Sequence, residues 1–467
     1  MKDKKYMSRL ALSVSTVILL SSCGVLKTYK SQEVEIPETY RGAISNDTTS
    51  LADIFWAEFF TDSHLNALIA EGLANNFDMR VATERIRIAE ANLGQAKSAF
   101  FPTVSLVGEL NHSRQSNGSS GKDVLGYSNT SYSLGVATSW ELDIWGKLRS
   151  QKKAQAATLQ SSYAYRNVVQ TSLIANIATS YYSLLALDEQ LRITKETVLV
   201  LQKNVATMQA LKEAGMVTDA AVEQSNALLF NTRTGVPRLE RQIAEMENSI
   251  CLLIGKLPQS IIRSSLSNQK MPEKLETGLP VQMLGRRPDV RQAEYDFMSA
   301  FQLTNVARAN LYPSISLTSG SLGFASGKVS DFFNPANLAL NLVGGITQPI
   351  FARRKLKTQL EVAKSQQEEA RINFEKAVLN ACVEVSDILY GFDASVRMYF
   401  SRTNQIESLR KAVVSTNELL LADEADYTEV LTAQQNLLTA QLSQVSDKLE
   451  QLQYNVNLYR ALGGGVF

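Results

Sequence analysis

The chain has 467 residues with 47 Lys and Arg against 46 Asp and Glu, a balance without the basic excess that nucleic-acid binding needs. Its two histidines, His64 and His112, sit in no metal or nucleophile arrangement, and no carboxylate pair stands out from solvated helix faces, so an enzyme is not expected. Of the three cysteines, Cys251 and Cys382 lie far apart in helical pattern with no C-x-x-C spacing, which gives neither a redox motif nor a zinc site.

Lys2, Lys4, Lys5 and Arg9 precede an apolar run from Leu10 to Leu20 and then Leu20-Ser21-Ser22-Cys23, the order of a bacterial secretion signal that ends in a lipobox. In that motif the small residues admit the processing peptidase, and the Cys23 thiol takes up diacylglycerol. Residues 1–22 are expected to be a lipoprotein signal peptide and 23–50 a lipidated linker. The apolar run falls short of the roughly 20 residues that cross a bilayer as a helix. No later segment is longer and as apolar, so a spanning structure has to be a closed barrel of strands.

The first repeat, 51–260, reads helix, strand, glycine-rich loop, strand, very long helix, tight turn, helix. Its strands are predicted at about 103–113 and 131–142, and its helical hairpin at 147–255. In the second strand Tyr132, Leu134, Val136, Thr138, Trp140 and Leu142 alternate with Ser131, Ser133, Gly135, Ala137, Ser139 and Glu141, which separates an apolar face from a small, polar one. Val104, Leu106 and Leu110 against Ser105, Glu109 and Asn111 do the same. From Lys147 to about Lys212 neither proline nor glycine interrupts the pattern, so a continuous helix would run about 100 Å. Leu184, Leu187, Leu191, Val198, Leu201, Val205 and Met208 hold a heptad seam with Thr194 as its polar member, the signature of a left-handed coiled coil. Gly215 suits a left-handed C-cap and Thr218 an N-cap, which closes the hairpin.

After a linker at 261–280 the same unit is written again over 281–467. Asp78, Arg80 and Ala82 before Phe101-Pro102 recur as Asp289, Arg291 and Ala293 before Tyr312-Pro313, with 24 residues from Asp to Pro each time. Strands are predicted at about 314–324, with a bulge near Ser319-Gly320, and at 337–347, followed by a helical hairpin at 354–461. Ala363, Ala370, Ala377 and Ala381 form a small-residue seam on its first helix, Asp426 and Glu429 a capping box at the turn, and Leu438, Leu442, Val445, Leu449, Leu452, Val456 and Tyr459 a second heptad seam. Phe100, Phe101, Trp140, Trp145, Tyr312 and Phe351 flank the strands as interfacial aromatics would. Four strands cannot close a membrane barrel, which starts at about eight, so the chain has to oligomerise. Two copies give the minimum and three a wider, water-filled pore, with the loops 113–130 and 325–336 outside.

With these elements in place the chain resembles the outer-membrane efflux protein family, the TolC-like channels, and within it the NodT-type lipoproteins. The most specific stretches are 278–294, with Arg286-Arg287-Pro288-Asp289, then 427–435, and 458–465 with Gly463-Gly464-Gly465. The resemblance implies a mainly α fold with a small β part: a homotrimer whose twelve-stranded membrane β-barrel continues into a periplasmic helical coiled-coil barrel. It also implies a periplasmic adaptor, an inner-membrane pump of the resistance-nodulation-division type, outer-membrane lipid around the barrel, and no cofactor beyond the acyl groups on Cys23. The pump supplies the energy. Gly118, Gly121 and Lys122 accordingly lack the spacing and the hydroxyl of a phosphate loop.

The resemblance places a periplasmic gate at the second turn, with Asp423 and Asp426 as acidic rings, and adaptor contacts at Gly215, Met216, Val217 and Thr218 and at Glu424, Ala425 and Tyr427. One departure stands out: the family's glycine opening the second turn is absent, no glycine lies between Gly391 and Gly463, and Asp423 is near the expected place. The alternatives to a small-molecule efflux duct are a duct for a secreted polypeptide and a non-conducting, lipid-anchored coiled-coil scaffold. The ten methionines show no M-x-x-M clustering, so the cargo is not written in the chain.

Overall fold

A computed structural model describes residues 26–31, 34–35, 37–41, 54–114, 128–270, 280, 283–422 and 424–466. The helices are α1 (Ser63–Asn75), α2 (Phe77–Ser98), α3 (Lys147–Glu213), α4 (Asp219–Leu253), α5 (Pro288–Ala309), α6 (Lys355–Leu421) and α7 (Tyr427–Ala461). The strands are β1 (Thr103–Arg114), β2 (Ser128–Leu142), β3 (Ser314–Ser326) and β4 (Leu338–Thr347). The duplication is visible in the element lengths. The pairs α2 and α5, α3 and α6, and α4 and α7 have 22, 67 and 35 residues in both halves. None of the described helices is long and apolar enough to cross a membrane.

The chain divides into two compact units, each drawn from both repeats. The first holds residues 26–31, 86–162 and 293–374, and contains the sheet. That sheet has the order β1-β2-β3-β4 and is antiparallel throughout. Against β2 and β4 alike, β3 carries one extra residue at position 320, which is the bulge expected near Ser319-Gly320. β1 and β4 each pair on one side only, leaving two edges of unpaired backbone groups.

The second unit, residues 34–85, 163–292 and 375–467, is helical. Both heptad seams enter one core, where Leu184, Leu187 and Leu191 of α3 pack with Leu438, Val445, Leu452 and Val456 of α7 and with Ile243 and Ile250 of α4. Thr194, buried in that seam, satisfies its hydroxyl on the Gln190 carbonyl one turn back, so the polar residue costs the core little. A second cluster joins Val385, Ile388 and Leu389 of α6 to Leu458 and Tyr459 of α7. Tyr459 stacks on Phe59 at 4.2 Å and donates its hydroxyl to the Ile54 carbonyl at 2.8 Å. On α6, Ala381 is fully buried and Ala377 half-buried, as a close helix approach requires.

Candidate functional site

Residues directly opposite in an antiparallel sheet project to the same face, so the register sorts the side chains. One face carries the rows Leu106, Val136, Leu322, Leu340 and Leu142, Ile315, Ile346, with Leu134, Phe324, Leu338 and Trp140, Leu317 beside them. Leu106 is 74% exposed and Leu340 70% exposed in the isolated chain. Each such side chain gains about 1.5–3 kcal/mol on leaving water. A contiguous apolar face of this size is built for an apolar phase. The opposite face carries Ser105, Glu109, Asn111, Ser133, Gly135, Ala137, Ser139, Ser316 and Thr318, mostly small or polar, with Val107 and Val343 as its larger apolar members.

Aromatic residues bracket the apolar face. At the end where the strands meet the helices, Trp140 Nε1 donates to the Phe100 carbonyl at 2.9 Å and Trp145 Nε1 to the Pro313 carbonyl at 2.7 Å. The Trp145 ring lies 5.1 Å from that of Tyr312, and Phe101 and Phe351 are exposed nearby in sequence. At the other end Phe324, Phe332 and Phe333 cluster with ring separations of 5.1 to 6.3 Å. Sequence reasoning named only the first group; the adjacent phenylalanines 332 and 333 in the β3–β4 connection were the available signal. From Trp140 to Leu134, the register partner of Phe324, is about 20 Å of strand, close to the roughly 25 Å apolar band of an outer-membrane barrel.

The N-terminal segment is tied to the same unit. Cys23 itself lies outside the described residues. Lys27 donates its N–H to Asn305 Oδ1 at 3.2 Å, and Asn305 Nδ2 donates to the Lys27 carbonyl at 2.9 Å. Asn305 is buried, so this amide grips the strap from both sides. Tyr29 meets Phe297 and Phe301 edge-on at 5.6 and 5.5 Å, and Leu26 fills the space over Gly146. Leu26, the first described residue of the strap, thus lies against Gly146, the sequence neighbour of Trp145.

The two hairpin turns come together in the second unit. Met208 and Val222 of the first hairpin and Leu420 and Val430 of the second form one buried cluster, with Leu211 and Tyr427 against it. Gly215, at φ +75°, lets the Met216 N–H reach back to the Leu211 carbonyl at 2.9 Å. The Glu424 N–H reaches the Leu419 carbonyl at 2.9 Å over the same five-residue span. Asp423, between them in sequence, lies outside the described residues. Thr218 caps α4 through the Ala221 N–H, and Lys212 pairs with Asp219 across the turn. Asp426 caps α7 through the Thr428 N–H at 3.4 Å; the Glu429 N–H goes to the Asp426 carbonyl, so the cap reaches one residue short of the expected box. Gly215, Met216, Thr218, Glu424 and Asp426 are exposed, Val217 and Ala425 partly so, and Tyr427 is half-buried against the shared cluster.

The stretches 278–294 and 458–465 also meet, at a junction the sequence did not disclose. Buried Arg287 donates to the Ala461 carbonyl at 2.7 Å, to Asp289 at 2.6 Å and to Glu384 at 2.8 Å, and Arg460 closes on the other Glu384 oxygen at 2.5 Å. Burial raises the Asp289 carboxyl, but the hydrogen bond and charge of Arg287 outweigh it and leave it below the ordinary carboxylate range. This ion cluster is structural. Among the described residues no group of three or more His, Cys, Asp or Glu is placed to hold a metal ion.

These features have counterparts in known proteins. The family model described as "Outer membrane efflux protein" matches residues 68–256 and 279–464. A probable outer membrane lipoprotein, SilC of Salmonella typhimurium, is 28% identical, with 97% of this chain and 98% of that one covered. The toluene efflux pump outer membrane protein TtgC of Pseudomonas putida is 30% identical over 98% of this chain and 96% of its own length. The crystal structure of the open state of the Neisseria gonorrhoeae MtrE outer membrane channel superposes with a TM-score of 0.82 at 26% identity, covering 94% of this chain and 98% of that one.

Proposed function

The chain belongs to the outer membrane efflux protein family, and on that premise we propose that three copies close into one outer-membrane channel that conducts small toxic molecules passively outward. The observation that carries this reading is the sheet: an exposed apolar face, continuous across all four strands, between two unpaired edges. In lipid each unpaired backbone group costs several kcal/mol, so β1 of one copy has to meet β4 of another until the ring closes. Three copies give twelve strands and a water-filled lumen lined by the polar face. The family is one of channels and not of enzymes, and the energy comes from an inner-membrane pump reached through a periplasmic adaptor.

Cys23 carries the acyl anchor in this reading, with the Asn305-bound strap leading it to the aromatic belt beside Trp145. The exposed turn residues Gly215, Met216, Thr218 and Glu424 supply the adaptor contact. Val217, Ala425 and Tyr427 belong to the same adaptor contact, and Asp423 and Asp426 form the periplasmic constriction. The cargo is chosen by the pump. TtgC is named for toluene, and among the described residues here no group of three or more His, Cys, Asp or Glu is placed to hold a metal ion.

The test is the mass of the detergent-extracted protein together with its conductance in planar bilayers. A trimeric mass with discrete, mostly closed channel events is expected, and Asp423→Ala/Asp426→Ala should raise the open fraction. A stable species that never conducts, even with both aspartates replaced, would establish the lipid-anchored scaffold instead.

A further inference from the structure

We propose that Glu109 sets the charge selectivity of the channel from within the membrane barrel; this rests on the closed-barrel reading above. The strands β1 to β4 contain two acidic residues, Glu109 and Glu141. Glu141, at the end of β2, is neutralised by Lys147 at 2.9 Å. Glu109 sits in the middle of β1, opposite Ser133, which in turn faces Ala325. It is exposed, and its row and the two rows beside it on that face hold serine, glycine, alanine and asparagine, with Val107 as the one larger apolar member, among the described residues. Among the residues of β1 to β4 the one lysine or arginine is Arg114, at the last position of β1.

An ionised side chain at membrane depth is costly unless it faces water, which is why such residues lie on conduction pathways. The register puts Glu109 on the polar face, opposite in sense to Leu106 and Leu110 on either side of it in β1. In a ring of three copies it recurs once per copy at one level of the lumen. Charged rings are how wide pores favour one sign of ion. Geometry decides that the ring is felt at the axis. Twelve strands about 4.8 Å apart and tilted by about 40° close at a backbone radius of about 12 Å. A glutamate side chain reaches several ångströms inward, leaving its charge within the Debye length of about 10 Å at 0.1 M salt. At 1 M salt that length is about 3 Å, and the axis is screened.

The experiment is the reversal potential of the full-length, detergent-extracted protein in a planar bilayer under a KCl gradient, in the wild type and in an Asp423→Ala/Asp426→Ala background that removes the acidic turns. In that background a preference for potassium over chloride should persist at 0.1 M KCl and fade at 1 M. Adding Glu109→Gln should lower the permeability ratio at least threefold, Glu109→Asp should retain it, and Glu109→Lys should turn the preference toward chloride. A Gln variant that conducts with its preference unchanged overturns the proposal while leaving the channel intact. A wild type and background that form no conducting species overturn the barrel reading itself. Should the Gln variant not reach trimeric mass, the Lys variant decides alone: conduction with an unreversed preference refutes the role of Glu109.

Discussion

The two repeats solve the same junction with different chemistry. In the first, Asn76 precedes α2, accepts from the N–H groups of Asp78 and Met79, and donates Nδ2 to the Leu253 carbonyl at the end of α4, at 2.8 Å. In the second, Arg287 stands at the matching place before α5 and donates to the Ala461 carbonyl at the end of α7, at 2.7 Å. Each side chain ties the entry of a 22-residue helix to the exit of a 35-residue one. The neutral amide completes the work with local bonds. The guanidinium brings charge into the core and therefore needs Asp289 and Glu384, the second of which recruits Arg460. One backbone geometry thus tolerates two electrostatic solutions, and only the charged one depends on a distant side chain as well as a distant carbonyl.

The comparison breaks most visibly if each side chain is removed. Arg287→Met should cost about 3 kcal/mol, at the low end for a broken buried ion pair because Asp289 keeps 43% of its side chain open to solvent. Asn76→Ala should cost about 1–2 kcal/mol, the sum of a lost helix cap and one buried hydrogen bond. Urea midpoints of the detergent-solubilised protein, followed by far-UV circular dichroism, compare the two. Equal costs would mean that the ion cluster adds nothing beyond the shared bond to the helix end.

Acid separates the junctions more gently. The Asp289 carboxyl in the folded chain lies below its ordinary value of 3.8. Its contribution to stability is therefore fully present above about pH 4 and is lost as the pH falls through the depressed value. Asp62, in the first repeat, is lowered as well: burial raises it, but bonds from Ser264, Tyr181, Gln269 and the His64 N–H prevail. Asp289→Asn should accordingly shrink the loss of stability between pH 5 and about pH 3 without abolishing it, whereas Asn76→Ala should leave that slope unchanged. A slope untouched by Asp289→Asn would place the acid sensitivity elsewhere.

Period and spacing made the elements legible. The seams of α3 and α7 repeat every 3.5 residues, and the strands alternate, so neither needs a partner to be recognised. The shared turn cluster was not legible: Tyr427 falls out of phase with the seam, which runs back from Leu438 through Gln435, Leu431 and Thr428, and its assignment as a contact residue came from resemblance. What could not be read are the polar pairings of long range. Arg287 finds Glu384 across 97 residues and Asn305 finds Lys27 across 278, and no local pattern marks either partner. The isolation of Glu109 is of the same kind, because it depends on what stands opposite in β2 and β3.

The smallest expected effect concerns how the two halves enter their long helices. Gly146, just before α3, has φ +74°, and Arg354, just before α6, holds the same left-handed backbone at φ +66°, preceded by Arg353 at +47°. A side chain in that conformation costs about 1 kcal/mol relative to glycine. The pairing of Arg354 with Glu361 at 3.2 Å is exposed and returns at most about 0.5 kcal/mol. Arg354→Gly should therefore be neutral or stabilising by up to about 0.5–1 kcal/mol in the urea midpoint. The reverse substitution is not symmetrical, because Leu26 occupies the space over Gly146. Gly146→Ala should cost more than about 1 kcal/mol and expose the 26–31 strap to added protease. If instead Arg354→Gly destabilised the protein, the paired arginines would be holding something at the foot of α6, and the strained backbone there would be retained for their charge.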